Sequence, residues 1–195
     1  ILSGLVGSEM CIRDRSCLAC LQEENEKLKE ICNSIKQNTM CGGSDWVGGT
    51  YNTHGTHDLT RDDRFNFLLD KISYHVHEFS KMHNSNASYE NGWSWLNVSG
   101  PGAWQEFHTH NGNVFSAVYY VSAPEGSGKI VFENPLEPDM CPPKEVYEKN
   151  QLSYTRIGYP PKEGTLMIFR SFLRHLVEPN TFSEGSRMSI ACNFR

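Results

Sequence analysis

Several features are missing from this 195-residue chain, and each absence closes off a class of protein. No stretch of eighteen apolar residues occurs, so no membrane-spanning helix is predicted. Basic residues are not in excess. Lys and Arg number 18 against 23 Asp and Glu, a formal net charge of -5, which argues against a nucleic-acid binder with its usual basic stripe. The first residues combine a short apolar run with no basic segment before it, so they do not read as a secretory signal peptide. No internal repeat or low-complexity segment is present, and a repeat array is not expected.

What remains fits a globular protein, with 38% hydrophobic and 21% charged residues. The length suffices for one well-buried domain and only marginally for two. The seven cysteines, at positions 11, 17, 20, 32, 41, 141 and 192, are odd in number and scattered. They predict reduced thiols and a cytoplasmic setting. Cys17-x-x-Cys20 invites a zinc reading with Cys32 and Cys41 as partners. The second pair is spaced too widely and the first lies on a helix-like stretch, so no zinc site is expected.

Residues 1–15 lack an initiator Met. The string Ser8-Glu9-Met10-Cys11-Ile12-Arg13-Asp14-Arg15 is similar to translated sequencing-adapter read-through at the ends of environmental gene fragments. Residues 1–15 are therefore expected to be a non-native extension. From Ser16 to about Asn38, Leu18, Leu21, Leu28, Ile31 and Ile35 recur at helical spacings among charged residues and predict an amphipathic helix. Gly42-Gly43-Ser44 and Gly48-Gly49 mark a loop. A second helix is predicted with Thr60 as N-cap, Asp62 and Asp63 in its first turn, and a stripe of Phe65, Leu68, Leu69, Ile72, Val76 and Phe79. On it, His75 and His77 do not share a face. His54 and His57 fall in a loop and read as solvated or hydrogen-bonded.

Beyond Gly92 the period changes to that of strands. Candidates are Trp93–Val98, Trp104–His110, Val114–Val121, Lys129–Phe132, Leu152–Ile157, Thr165–Phe169, His175–Glu178 and Arg187–Phe194, separated by Gly- and Pro-containing turns. Pro135 to Pro143 reads as a long surface excursion. Many short strands after two helices predict a mainly β fold, a sandwich or jelly roll with helices backing one sheet.

Phe107-His108-Thr109-His110 stands out in this pattern. Residues two apart on a strand point to one side, so His108 and His110 would offer two imidazoles to a transition metal. His175 supplies a third from a later strand. Arg187 follows twelve residues on, a planar bidentate partner for a carboxylate, and Ser189 shares its face. Singly, each has an ordinary explanation. The first two histidines could be exposed at a strand end, His175 could be a satisfied core histidine between Leu173 and Val177, and Arg187 could be an ion-pair partner.

At this point the sequence resembles the 2-oxoglutarate and Fe(II)-dependent oxygenases of marine bacteria and their phages, a branch of the prolyl-hydroxylase-like superfamily. The resemblance rests on Trp95-Leu96-Asn97-Val98, Glu106-Phe107-His108-Thr109-His110, Ser116-Ala117-Val118-Tyr119-Tyr120-Val121 and Pro161-Lys162-Glu163-Gly164-Thr165-Leu166. It continues through Phe169 to Asn180 and Arg187-Met188-Ser189-Ile190-Ala191. It covers roughly residues 90–195, and more loosely from about 42.

The resemblance implies a double-stranded β-helix, cupin-like, with residues 16–195 as one oxygenase domain: 16–90 as helical support and 91–195 as the jelly-roll core. It implies His108, His110 and His175 as ligands of Fe(II), and Arg187 as the grip on the distal carboxylate of 2-oxoglutarate. Tyr120 is similar in placement to a tyrosine that helps bind that carboxylate, and Tyr119 faces the other way. The implied activity spends dioxygen and 2-oxoglutarate, releases succinate and carbon dioxide, and hydroxylates a C–H bond. Two positions depart from the common pattern. His110 stands where the superfamily more often has Asp, exchanging a charged ligand for a neutral one, and Arg170 stands where Pro is expected.

Two other classes remain open. A three-histidine cupin dioxygenase would not use 2-oxoglutarate and would have little use for Arg187. A non-catalytic jelly roll could bind sugar or a partner protein through the Trp93, Trp95 and Trp104 region. An inward Arg187 near the histidines favours the oxygenase, and a surface-facing one favours the binding module. The substrate could be a protein side chain, a small metabolite or a nucleobase, the last disfavoured by the acidic balance.

Overall fold

A computed structural model describes residues 21–43, 48–135 and 155–195. The extension at 1–15, the Cys17–Cys20 pair, the beginning of the first helix, nearly all of the 135–143 excursion and residues 152–154 lie outside the described residues.

Among the described residues two helices and nine strands follow in order: α1 (Leu21–Asn38), β1 (Tyr51–Asn52), α2 (Asn66–Met82), β2 (Asn91–Ser99), β3 (Gln105–His108), β4 (Phe115–Ser122), β5 (Ile130–Glu133), β6 (Arg156–Tyr159), β7 (Leu166–Arg170), β8 (His175–Val177) and β9 (Arg187–Phe194). Every strand pairing is antiparallel. The strands form a five-stranded sheet of order β1-β2-β9-β4-β7 and a four-stranded sheet of order β3-β8-β5-β6. This is the expected mainly β jelly roll with two preceding helices.

Alternation along the large sheet decides which residues meet the helices and which meet the second sheet. Leu96 and Val98 of β2, Tyr119 and Val121 of β4, and Ile190 and Cys192 of β9 pack with Leu28, Cys32 and Ile35 of α1 and with Leu68, Ile72, Val76 and Phe79 of α2. The α1 stripe thus runs through Cys32, a thiol that behaves as a small hydrophobe when buried. A smaller apolar cluster of Ile130, Phe132, Met167, Phe169 and Leu173 lies between the two sheets. The remaining inward residues of the large sheet are largely polar, and the site is built there.

Four boundaries differ from the sequence reading. Thr60 does not cap α2. Asp58 caps a 3-10 turn at Leu59–Arg61 and Asp62 caps another at Asp63–Phe65, each carboxylate accepting a backbone N–H, and α2 begins after them at Asn66. The acidic residues thus satisfy the donors of short turns that lead into the helix. Strand β3 ends at His108, with a register shift between Gln105 and His108, so His110 lies beyond it. Strand β6 runs to Tyr159 because Ile130 of β5 pairs with that residue. Strand β1, only two residues, is too short for alternation to reveal.

Candidate metal and co-substrate site

The three histidines converge. His108 and His175 are paired residues across β3 and β8, the arrangement that sets two side chains side by side on one face of a sheet. Their ring centroids are 4.3 Å apart. His110 reaches the same place from the turn. Its N–H donates to Ser171 O at 3.0 Å, its carbonyl accepts from Asn113 N at 3.3 Å, and its ring sits between Trp95 and Phe169 at centroid distances of 5.9 and 6.1 Å. One ring nitrogen from each histidine falls within 4.8 Å of the others. Among the described residues no second group of three such donors is this close.

Chemistry of the donors fits a divalent transition metal. His108 Nδ1 lies 2.8 Å from Glu106 O and His175 Nδ1 2.8 Å from Leu173 O. A carbonyl only accepts, so each Nδ1 carries the proton and each Nε2 keeps its lone pair for a ligand. Burial lowers the pKa of all three rings. His110 is pushed down to about 3, chiefly by burial and then by the neighbouring histidines, and His175 lies well below its ordinary value for the same reasons. All three are neutral near pH 7, the form that binds a metal.

Arg187 lies in the same cavity, on the opposite sheet. The register of β2 against β9 pairs Ser99 with Arg187, Asn97 with Ser189 and Trp95 with Ala191, and β4 places Tyr120 opposite Ser189. These inward side chains, with the three histidines, line one cavity of about 70 Å³. Arg187 is 5% exposed. Its Nη1 donates to Gly128 O at 3.2 Å and its Nη2 to Ser99 Oγ at 3.1 Å. Burial lowers its pKa, against a favourable contribution from Tyr120, yet a guanidinium stays protonated in proteins. Among the described residues no carboxylate pairs with it. A buried cation without an anion is costly, and a bound anion at this end of the cavity would offset that cost.

The structure thus brings all six expected residues, His108, His110, His175, Tyr120, Arg187 and Ser189, to one cavity. Tyr119 faces the helices, where its hydroxyl donates to Asn25 Oδ1 at 3.0 Å. His57 is paired with Asp62 at 3.0 Å. His54 is exposed and lies against Trp95 and Trp93, and His75 and His77 lie on α2, outside the metal group. Sequence reasoning missed Thr50, Trp95, Asn97 and Ser99 as lining residues. Among the described residues Trp95 Nε1 and Asn97 Oδ1 find no partner though buried, groups a bound ligand could satisfy. Their signal is the alternation of β2: Leu96 and Val98 belong to the helix-facing core, so the residues between them must face the site.

A jelly roll with three histidines at one end of a buried cavity and a lone arginine at the other defines a class: metal-dependent oxygenases on the double-stranded β-helix. Residues 93–193, just over half of the chain, match the family described as "Putative 2OG-Fe(II) oxygenase", and the chain belongs to this family of 2-oxoglutarate and Fe(II)-dependent oxygenases. Fe(II) is accordingly its metal and 2-oxoglutarate its co-substrate. Among solved structures it is similar to a prolyl-4-hydroxylase of Pseudomonas putida, with 16% identity over 89% of this chain and 87% of that one and a TM-score of 0.59. It is also similar to the viral collagen prolyl hydroxylase of Paramecium Bursaria Chlorella virus-1 in its 2OG complex, with 18% identity, 88% and 90% coverage and a TM-score of 0.53. A third likeness is to the epimerase SnoN in complex with Fe3+, alpha ketoglutarate and nogalamycin RO, with 11% identity, 89% and 74% coverage and a TM-score of 0.64. At such identities the likeness is one of fold. No curated protein matches the chain. No helix among the described residues is long and apolar enough to cross a membrane.

Proposed function

We propose that His108, His110 and His175 hold Fe(II) through one nitrogen each, and that Arg187, with Ser189 and Tyr120, takes the distal carboxylate of 2-oxoglutarate. The reaction is hydroxylation of a substrate C–H bond: substrate, dioxygen and 2-oxoglutarate give hydroxylated substrate, succinate and carbon dioxide. When bound, iron supplies the redox chemistry that couples these partners. The protein's own part is orientation and exclusion of water. The two Nδ1–carbonyl bonds fix the rings of His108 and His175, the Trp95 and Phe169 rings confine His110, and the buried guanidinium sets how far into the cavity the co-substrate reaches.

The observation that carries this reading is the inward Arg187, buried in the cavity of the three histidines with no carboxylate partner among the described residues. A three-histidine dioxygenase that ignores 2-oxoglutarate leaves that cation unexplained, and a binding module has no need of the neutral histidine cluster. Residues 16–195 are read as a single oxygenase domain, because the apolar stripes of α1 and α2 are buried on the large sheet. The described cysteines, Cys32, Cys41 and Cys192, are free thiols, which supports a cytoplasmic setting. The substrate is an unidentified protein side chain or metabolite.

The test is succinate formation from 2-oxoglutarate by anaerobically reconstituted protein on admission of air, with and without Fe(II), in wild type and Arg187→Ala. Iron-dependent succinate that is lost in the variant is expected. A silent wild type that also fails to bind 2-oxoglutarate by calorimetry overturns the reading.

A further inference from the structure

Among the described residues Arg187 is aimed by two groups, and both are anchored by a third residue. Its Nη1 donates to the carbonyl of Gly128 and its Nη2 to the hydroxyl of Ser99. The side chain of Asn180 binds the backbone of both. Asn180 Oδ1 accepts from Gly128 N at 3.0 Å, and Asn180 Nδ2 donates to Ser99 O at 3.2 Å and to Gly100 O at 2.8 Å. Asn180 is 4% exposed, and its own backbone is fixed in both directions, its N–H donating to Ala103 O and its carbonyl accepting from Gly102 N.

We propose that Asn180 is the positioning residue for Arg187: it locks the two acceptors of the guanidinium in place and so sets the preference of the site for a 2-oxo acid that carries a distal carboxylate. This rests on the reading that Arg187 grips that carboxylate. The chemistry calls for an amide, since one planar group must accept on one side and donate on the other. A guanidinium has five N–H donors and the protein takes two, so the remaining three can be presented to a ligand only if those two bonds hold the fork at a fixed angle. Gly128 is built into the same lock. A Cβ at that position would lie 1.8 Å from Glu178 O, so the segment carrying one acceptor of Arg187 is pressed against the segment that leads to Asn180. Ser99 is steadied from its other side by Thr50, whose hydroxyl is 2.9 Å from Ser99 Oγ. Asn180 follows β8 and Gly128 precedes β5, strands of the sheet that also carries His108 and His175, and neither residue is among the three metal donors.

The test compares two ligands on anaerobic Fe(II)-loaded protein by calorimetry: 2-oxoglutarate, and 2-oxobutyrate, which lacks the distal carboxylate. The variants are Asn180→Ala and the isosteric Asn180→Asp, which keeps the shape and loses both donors. Either is expected to weaken 2-oxoglutarate binding about tenfold, the effect of one lost hydrogen bond to a charged group. The affinities for 2-oxobutyrate and for Fe(II) should stay at wild-type levels. If Asn180→Ala does not fold, Asn180→Asp decides alone. Equal losses for both acids, or weakened Fe(II) binding, would make Asn180 a general structural staple and overturn the proposal. Wild-type 2-oxoglutarate affinity in both variants, with Arg187→Ala having lost it, overturns the proposal and leaves the Arg187 reading intact. Wild-type affinity in Arg187→Ala itself overturns the reading beneath.

Discussion

His108 and His175 face each other across β3 and β8, and each gives its Nδ1 proton to the carbonyl two residues before it, at 2.8 Å in both cases. The pair therefore presents two of the three donors of the metal group, with both rings neutral and their Nε2 atoms available. Removing either ring should abolish tight Fe(II) binding while leaving the fold intact. In thermal melts, a saturating metal concentration about a hundred times Kd should stabilise wild type by about 2.7 kcal/mol. His175→Ala should show no metal-dependent rise in Tm. A rise of the wild-type size in that variant would exclude His175 as a ligand.

Charge alone does not suffice at the other end of the cavity. Arg187→Lys keeps a cation but loses the planar fork that donates to Gly128 O and Ser99 Oγ and that we propose takes the carboxylate. Calorimetry should show 2-oxoglutarate affinity reduced by tenfold or more, about 1.4 kcal/mol or greater, with metal affinity unchanged.

The two adjacent tyrosines should separate cleanly. Tyr119 donates to Asn25 of α1, so Tyr119→Phe should cost about 1 kcal/mol of stability and leave the KM for 2-oxoglutarate alone. Tyr120 lines the cavity opposite Ser189, and Tyr120→Phe should raise that KM. Denaturant unfolding and succinate kinetics on the two variants check both halves.

Acid should release one fastening of the helical layer. Hydrogen bonds from Arg64 hold the Asp62 carboxyl down to about 2 from its ordinary 3.8, with a further bond from His57. Its folded pKa lies below its unfolded one, so the stabilisation is present above about pH 4 and is lost as pH falls toward 2. Asp62→Asn keeps the cap acceptor and loses the ion pair. Its deficit should be about 1 kcal/mol or less near neutrality and should shrink as pH falls through 2, as read from urea unfolding at a series of pH values.

Most of the fold was legible because its signal is local. Period-two alternation marked the long strands, and the α2 stripe from Phe65 to Phe79 was read directly. His108 and His175 were legible for the same reason, as strand residues. His110 joins the histidine cluster not from the strand face that spacing implies but from a turn bonded to Ser171, a long-range contact that spacing does not encode. Thr60 with Asp62 and Asp63 reads as a helix start, but Asp58 and Asp62 cap the turns before the helix, since nothing local separates a 3-10 entry from the helix itself. Asn97 and Asn180 lie in segments that carry the resemblance, but nothing local assigns them a part in the cavity. Their placement comes from pairing with β9 and from backbone groups some fifty to eighty residues away.

The measurement closest to the central claim is a crystal structure of the protein grown anaerobically with Mn(II), a redox-quiet substitute for Fe(II), and 2-oxoglutarate. The account predicts one metal ion bound by His108, His110 and His175, and the distal carboxylate of 2-oxoglutarate on Arg187, beside Ser189 and Tyr120. A metal held elsewhere, or 2-oxoglutarate bound with Arg187 turned to a carboxylate of the protein, would contradict it.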